Sequence, residues 1–331
     1  TLGLSTGTTI SIGSNDVDVV SGFKSFKSGG GSDLIVGDTA DNTISGGGGN
    51  DTLRGGGQSG DTLDYSYVTS ATGVSVVFEN TANGSGSASV STSDLDVISG
   101  FRNVVGSGFS DVITTNDFDN SISAGLGTDI LQGLSGNDTL DGGDGSDVAS
   151  YNYVTQGLSI NFTSGSSTIQ IALNDIDKLV NIEGIIGGQG NDTITGDNVA
   201  NFLGGGGGND SFFASAGADS YDGGDGYDYV DYRGDSVNVI TVDLTKASGQ
   251  VTKQVSIGTS VDISTDTWST LSAFWPRAMA TRFWEMTMPI ILTAPVAMTQ
   301  LMARLAMTRW MAVLVTTSSL LGLMPTRWLC P

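Results

Sequence analysis

Histidine is absent from the 331 residues. That removes Ser-His hydrolases, HExxH zinc proteases and every other mechanism that needs an imidazole. A single cysteine forbids an intrachain disulfide, so cysteine usage says nothing about redox compartment. Basic residues are scarce, 13 against 35 acidic, and the net charge of −22 argues against a nucleic-acid backbone as partner. No initiator Met or signal peptide opens the chain at Thr1, which suggests an internal or C-terminal piece of something longer. Absences also mark a boundary. Residues 1–267 contain no Met, Trp, Pro or Cys, and residues 268–331 hold all 8 Met, 5 Trp and 5 Pro. That tail has no Asp and one Gly. Removing its 5 Arg and Glu285 leaves 8 basic and 34 acidic residues in the body, a net of −26. Two such unlike compositions rarely make one domain.

Glycine is abundant instead, 49 residues, about twice ordinary usage. Much of it is periodic. Asp111, Asn120, Asp129, Asp138 and Asp147 lie nine apart, as do Asp192, Asn201, Asp210, Asp219 and Asp228. An earlier block runs Asp33, Asn42, Asp51 and, after one inserted residue, Asp61. Two residues beyond each of these fourteen stands an apolar side chain or Ala: Ile35, Ile44, Leu53, Leu63, Ile113, Ile122, Leu131, Leu140, Ala149, Ile194, Leu203, Phe212, Tyr221 and Val230. A longer period encloses the blocks, since Asp138 and Asp219 are 81 apart. Each block has a related lead-in beginning at Asp16, Asp94 or Asp175 and is followed by an aromatic, Tyr65, Tyr151 or Tyr232. Then comes period-2 patterning, with Val74, Val76 and Phe78, and again Leu158, Ile160 and Phe162, on one face. No stretch of the body keeps a 3.6-residue period, so essentially no helix is expected.

The repeat Gly-Gly-x-Gly-x-Asp-x-U-x, with U apolar, resembles the RTX or hemolysin-type calcium-binding nonapeptide. Its clearest copies are Gly46-Gly47-Gly48-Gly49-Asn50-Asp51-Thr52-Leu53-Arg54 and Gly142-Gly143-Asp144-Gly145-Ser146-Asp147-Val148-Ala149-Ser150. The chemistry agrees. Glycines turn the chain sharply and expose carbonyls, and the Asp at position six offers a hard anionic oxygen to a cation that takes six to eight of them. The resemblance implies an all-β parallel β-roll, a β-solenoid in which two nonapeptides make one coil and calcium sits between successive loops. It implies Ca2+ ligands at Asp33, Gly47, Gly49, Asp51 and Asp61; at Asp111, Gly127, Asp129, Gly136, Asp138, Gly143, Gly145 and Asp147; and at Gly188, Gly190, Asp192, Gly206, Gly208, Asp210, Gly217, Asp219, Gly224, Gly226 and Asp228. A flexible acidic linker would have no reason to keep the apolar phase fourteen times. A metal-free solenoid with Asp and Asn ladders would stack like charges at about 5 Å. Asn42, Asn120 and Asn201 lose the charge and should make weaker or purely structural turns. Asp16, Asp94, Asp96, Asp175 and Asp177 lack nonapeptide context and read as solvated surface.

The expected organisation is a lead-in β segment (1–27), three repeat blocks (28–64, 106–150, 187–231), β connectors (65–105, 151–186, and 232–267 with a further lead-in) and the tail. The resemblance implies a secreted, extracellular protein exported by a type I secretion apparatus and folding on calcium outside the cell. Nothing in the body looks catalytic. One reading is a non-catalytic calcium-binding module, with a polysaccharide or cell surface as a conceivable contact. The other is the auxiliary region of a secreted protease, lipase or alginate epimerase whose catalytic domain lies upstream. The tail has no clean apolar run of about 20 residues to span a membrane. Shifting its codons by one base forces Asp at Thr287, Thr299, Thr308 and Met311 and Gly at Ala280, Glu285, Ala303 and Ala312. Thr299 to Thr308 and Ala303 to Ala312 are each nine apart, and Trp268 to Ser272 can then read Leu-Val-Asn-Ile-Glu, as at 179–183. The tail is therefore expected to be a frameshift product without a selected fold.

Overall fold

A computed structural model describes residues 23–232, apart from 57–59, 70–71, 82–83 and 164, and the backbone of strands Leu2–Gly3, Thr8–Ser11, Val17–Val20, Val239–Val242, Val251–Ile257, Ser260–Ser269 and Ala273–Trp275. Every regular element among the described residues is a strand. Most are three residues long, the length left once six of nine positions turn.

The coil is two nonapeptides. Strand Val112–Thr114 pairs in parallel with Ile130–Gln132, placing Ile113 beside Leu131, and Leu131 beside Ala149. On the opposite wall Ile122 lies beside Leu140. The other blocks repeat this, with Ile35 beside Leu53, Ile44 beside Leu63, Ile194 beside Phe212, Phe212 beside Val230, and Leu203 beside Tyr221. All fourteen U side chains are buried. Twelve are the middle residue of a three-residue strand, and Ile122 and Leu140 are second in the seven-residue strands Ser121–Gly127 and Thr139–Gly145; successive side chains alternate faces, so each U residue points inward. The core is accordingly two facing files of single side chains, a quasi-one-dimensional stack in which each coil contacts its neighbours.

The connectors are not spacers beside this roll; they are built into it. Ser75–Phe78, Gly86–Ser91 and Asp94–Ser99 form an antiparallel meander. Its outer strands continue the parallel stack, Ile98 beside Leu53 and Val76 beside Ile113. Val74, Val76 and Phe78 are buried, as the alternation predicts. At the next junction Ser166–Ala172 and Asp175–Val180 pair antiparallel, with Leu179 beside Leu140, while Ile160 starts the third block beside Ile194. The backbone of Val239–Val242, Val251–Ile257 and Ser260–Ser269 forms a third such meander. Two more rungs come from lead-in tails, Val104 between Leu63 and Ile122, and Ile185 between Ala149 and Leu203. The roll therefore runs on through parts of 65–105 and 151–186.

The boundary expected at 268 does not interrupt the backbone. Trp268 stands opposite Tyr221 and Phe274 opposite Val230, the register places that Leu179 and Ile185 hold one repeat earlier. The expected out-of-frame tail otherwise lies outside the described residues, as does Asp16.

Candidate metal centre

Each glycine-rich segment is a loop stacked on the loop one coil below. Gly47, Gly49, Gly127, Gly136, Gly143, Gly206, Gly208, Gly217, Gly224 and Gly226 all have positive φ; Gly145, Gly188 and Gly190 do not. Close stacking restricts most of these further. A Cβ on Gly143 would run into the Gly125 carbonyl, and one on Gly226 into that of Gly208. Leu134, with φ 65°, occupies the position that Gly143 holds one nonapeptide later. Among the described residues it is one of two non-glycine residues with positive φ; the other, Asn181, stands where Gly100 stands in the preceding lead-in.

The position-six aspartates form ladders along the roll. The Oδ1 of Asp129 accepts from the Asp111 amide at 2.7 Å, and that of Asp147 from the Asp129 amide at 2.8 Å. Asp138 accepts from Asn120 at 2.7 Å, Asp51 from Asp33 at 2.8 Å, and Asp61 from Asn42 at 2.8 Å. In the third block Asp210 accepts from Asp192 at 2.8 Å, Asp228 from Asp210 at 2.9 Å, and Asp219 from Asn201 at 3.1 Å. Asp33 is half-buried and the other position-six aspartates are fully buried. The rungs joined are eighteen residues apart, nineteen across the insertion. Asp138 thus stacks on Asn120 and not between Asp129 and Asp147, which lie on the other edge.

The second oxygen is what distinguishes the ladder interior. Oδ2 of Asp51, Asp129, Asp138, Asp147, Asp210 and Asp228 is buried and has no hydrogen-bond partner. In all of these but Asp129, whose loop opens on Ala124, it lies over the first glycine of its own loop; a side chain on Gly46, Gly133, Gly142, Gly205 or Gly223 would strike it. At the opening rungs the protein supplies donors instead. Ser107 N–H donates to Asp111 at 2.6 Å and Gly188 N–H to Asp192 at 2.7 Å. The Asn turns are closed on themselves, Asn42 Oδ1 accepting from Asp38 N–H at 2.8 Å and Asn201 Oδ1 from Asp197 N–H at 2.9 Å.

Burying carboxylates without counter-charge disfavours their ionised form. Desolvation pushes Asp51, Asp129 and Asp210 up to about 7 and Asp138 to about 9. Neighbouring rungs add like-charge repulsion, Asp111 and Asp147 acting on Asp129. Among the described residues no group of three or more acidic side chains is placed to hold a metal alone. A hard cation here would take one or two carboxylate oxygens and complete its six to eight from loop carbonyls. The free, buried, anionic oxygens and the backbone-walled loops fit such an ion.

A protein-family profile described as RTX calcium-binding nonapeptide repeat (4 copies) matches residues 28–60, 105–140, 123–149, 185–198 and 195–230. The chain carries RTX calcium-binding repeats. The matched stretches are the stacked loops just described, and together with the all-strand, mostly parallel structure they make this a parallel β-roll of RTX repeats. No curated protein matches the chain.

The reading of the lead-in acids as solvated surface is corrected. Asp96 and Asp177 are fully buried ladder members: Asp51 N–H donates to Asp96 Oδ1 at 2.9 Å and Asp138 N–H to Asp177 Oδ1 at 3.0 Å. Asp94 and Asp175 are half-buried, each with a buried, unpartnered Oδ1. Glu183, also unforeseen, caps the Asp147 rung, accepting its N–H at 3.0 Å. The missed signal was that Asp96-Val97-Ile98 and Asp177-Lys178-Leu179 are themselves Asp-x-U triplets.

Proposed function

We propose that the RTX blocks form a non-catalytic calcium-binding module of a secreted protein, exported by a type I apparatus and folding on calcium outside the cell. Six loop aspartates carrying a buried carboxylate oxygen with no partner support this reading. Leaving such a charge bare inside a fold is costly, and a divalent cation shared between stacked loops removes both the desolvation and the like-charge penalty. Asp33, Asp51 and Asp61, then Asp111, Asp129, Asp138 and Asp147, then Asp192, Asp210, Asp219 and Asp228 hold the ions in this reading, with carbonyls of the glycine loops completing the shells.

When bound, calcium supplies positive charge and a preference for oxygen. The chain supplies the geometry: the U files set the coil spacing, and the glycines let the backbone face the ion. Low calcium inside a cell and high calcium outside would then couple folding to export, since a ligand that binds only the folded state stabilises it by mass action. The full chain should gain β circular dichroism on adding calcium and lose it with a chelator. Equal spectra in both conditions would overturn the reading.

A further inference from the structure

The two described junctions between block and meander repeat one arrangement, and it differs from the ladder interior. The turn before strand Asp94–Ser99 lies over loop 46–51 as the next nonapeptide loop would. Asp96 falls in phase with position six, and Asp94 with position four, the place of Gly49 below. At the second junction Asp177 and Asp175 stand in the same relation to Asp138 and Gly136.

Within the blocks Asp51, Asp129, Asp138, Asp147, Asp210 and Asp228 keep Oδ2 free, while Asp219 Oδ2 accepts from the Ser215 and Tyr221 hydroxyls, each at 3.1 Å. At the junctions a tyrosine takes it: the Tyr65 hydroxyl donates to Asp96 Oδ2 at 2.7 Å, and that of Tyr151 to Asp177 Oδ2 at 2.9 Å. A second tyrosine reaches the position-two carbonyl of the loop below, Tyr67 to Gly47 at 2.5 Å and Tyr153 to Leu134. The free oxygen reappears at position four. Asp94 uses Oδ2 on the Gly49 amide at 3.2 Å, and Asp175 accepts from the Gly136 amide. Oδ1 of both is buried without a partner. Independently, Asp51 and Asp138 in the loops beneath are 2 % and 1 % exposed and carry their own unpartnered oxygens. These lower and upper carboxylates lie close enough to repel, Asp94 acting on Asp51 and Asp175 on Asp138.

We propose that each junction binds a further calcium ion, through Asp94 at the first and Asp175 at the second, between the last loop of the block and the meander turn stacked on it. The tyrosine pair is the positioning element: its hydrogen bond occupies the second oxygen of position six and hands the ligand role to position four. The ion locks the meander, which is not a nonapeptide, onto the calcium ladder. Both acids lie outside the stretches matching the repeat family. The third junction is a built-in contrast, because its register puts Ser264, a residue without a carboxylate, where Asp175 stands.

The proposal rests on calcium binding by the loops, and the test separates the two. Native mass spectrometry of the calcium-loaded full chain should show one ion fewer for Asp94→Asn, one fewer for Asp175→Asn and two fewer for the double variant. An unchanged count overturns the proposal, whereas no calcium on the unsubstituted chain overturns the loop reading instead. Should the Asn variants fail to fold, crystals of the unsubstituted calcium-loaded chain decide. An anomalous peak is expected about 2.3–2.6 Å from Asp94 Oδ1 and Asp175 Oδ1. Peaks beside Asp129 and Asp210 with none at either junction overturn it.

Discussion

The behaviour of single carboxylates carries the sharpest expectations. Asp129 is wholly buried with a free oxygen, while Asp144, at position three of its loop, is exposed. Asp129→Asn should weaken calcium-induced folding by about tenfold or more, on the scale of losing a metal partner, and Asp144→Asn should leave it nearly unchanged. Calcium titration followed by circular dichroism makes the comparison. The pH dependence follows from the raised values. An Asp that titrates near 3.9 unfolded and at about 7 folded keeps its proton in the folded state. The metal-free fold then binds more protons than the unfolded chain, so its stability is greatest below about pH 4 and falls as pH rises through 7. In chelator, β signal should be stronger at pH 4 than at pH 8. With calcium the order should invert, because protons and metal compete for the same oxygens. Spectra at the two pH values with and without metal check both signs. Backbone geometry gives a third contrast. Gly143 has φ +92° and faces a carbonyl, whereas Gly108 has no positive φ and meets its nearest neighbour, a Leu126 methyl, only at 4.0 Å. Gly143→Ala should cost about 1–3 kcal/mol of calcium-loaded stability and Gly108→Ala far less, measured by denaturant titration in calcium.

At the scale of the element, a three-residue strand has one inward side chain and no redundancy. Leu131 touches the roll between Ile113 and Ala149 and is fully buried. Leu131→Ala should destabilise the middle block by about 2–5 kcal/mol, since no neighbouring residue of the same strand can fill the space. The meanders hold on differently, through a buried hydrogen bond to a charged group. Tyr151→Phe leaves Asp177 Oδ2 without its donor and should cost about 1.5–3 kcal/mol, read from the same unfolding curves. The ring packing against Tyr153 is kept in that variant, so the loss reports the hydroxyl.

For the whole molecule, the 81-residue period is an alternation of glycine-loop ladders with antiparallel meanders on one continuous strand stack. A charge of −26 spread over residues 1–267, with a core of single-file side chains, makes the fold hostage to its counter-ions. Magnesium should substitute poorly for calcium in restoring β structure, because it demands a tighter octahedral shell at about 2.0–2.1 Å. The register of Trp268 and Phe274 on the rungs of Leu179 and Ile185 extends the alternation across the composition break. Resequencing the gene near codon 267 should reveal a single-base correction that restores in-frame GGxGxD-type repeats downstream.

Local periodicity alone determined the strand character, the inward residue of each strand, the glycine loops and the fourteen position-six residues. A nine-residue repeat writes these into every copy, and each follows from the turning capacity of glycine and the alternation of a strand. Leu134 shows the limit of that reading, because its loop demanded positive φ of a residue whose type does not announce it. Which carboxylate faces which was decided only by the tertiary structure. Within a block the partner is one coil away, a distance the repeat implies. At the junctions Asp51 meets Asp96 across 45 residues and Asp138 meets Asp177 across 39, because a meander folds back and lays its last strand on the roll. Asp96-Val97-Ile98 carries the Asp-x-U mark of a rung, but nothing local to it says which loop it stacks on. The burial of Asp96, its tyrosine partner and the free oxygen of Asp94 arise from the surface that the preceding loop presents, and that surface exists only once the coils have stacked.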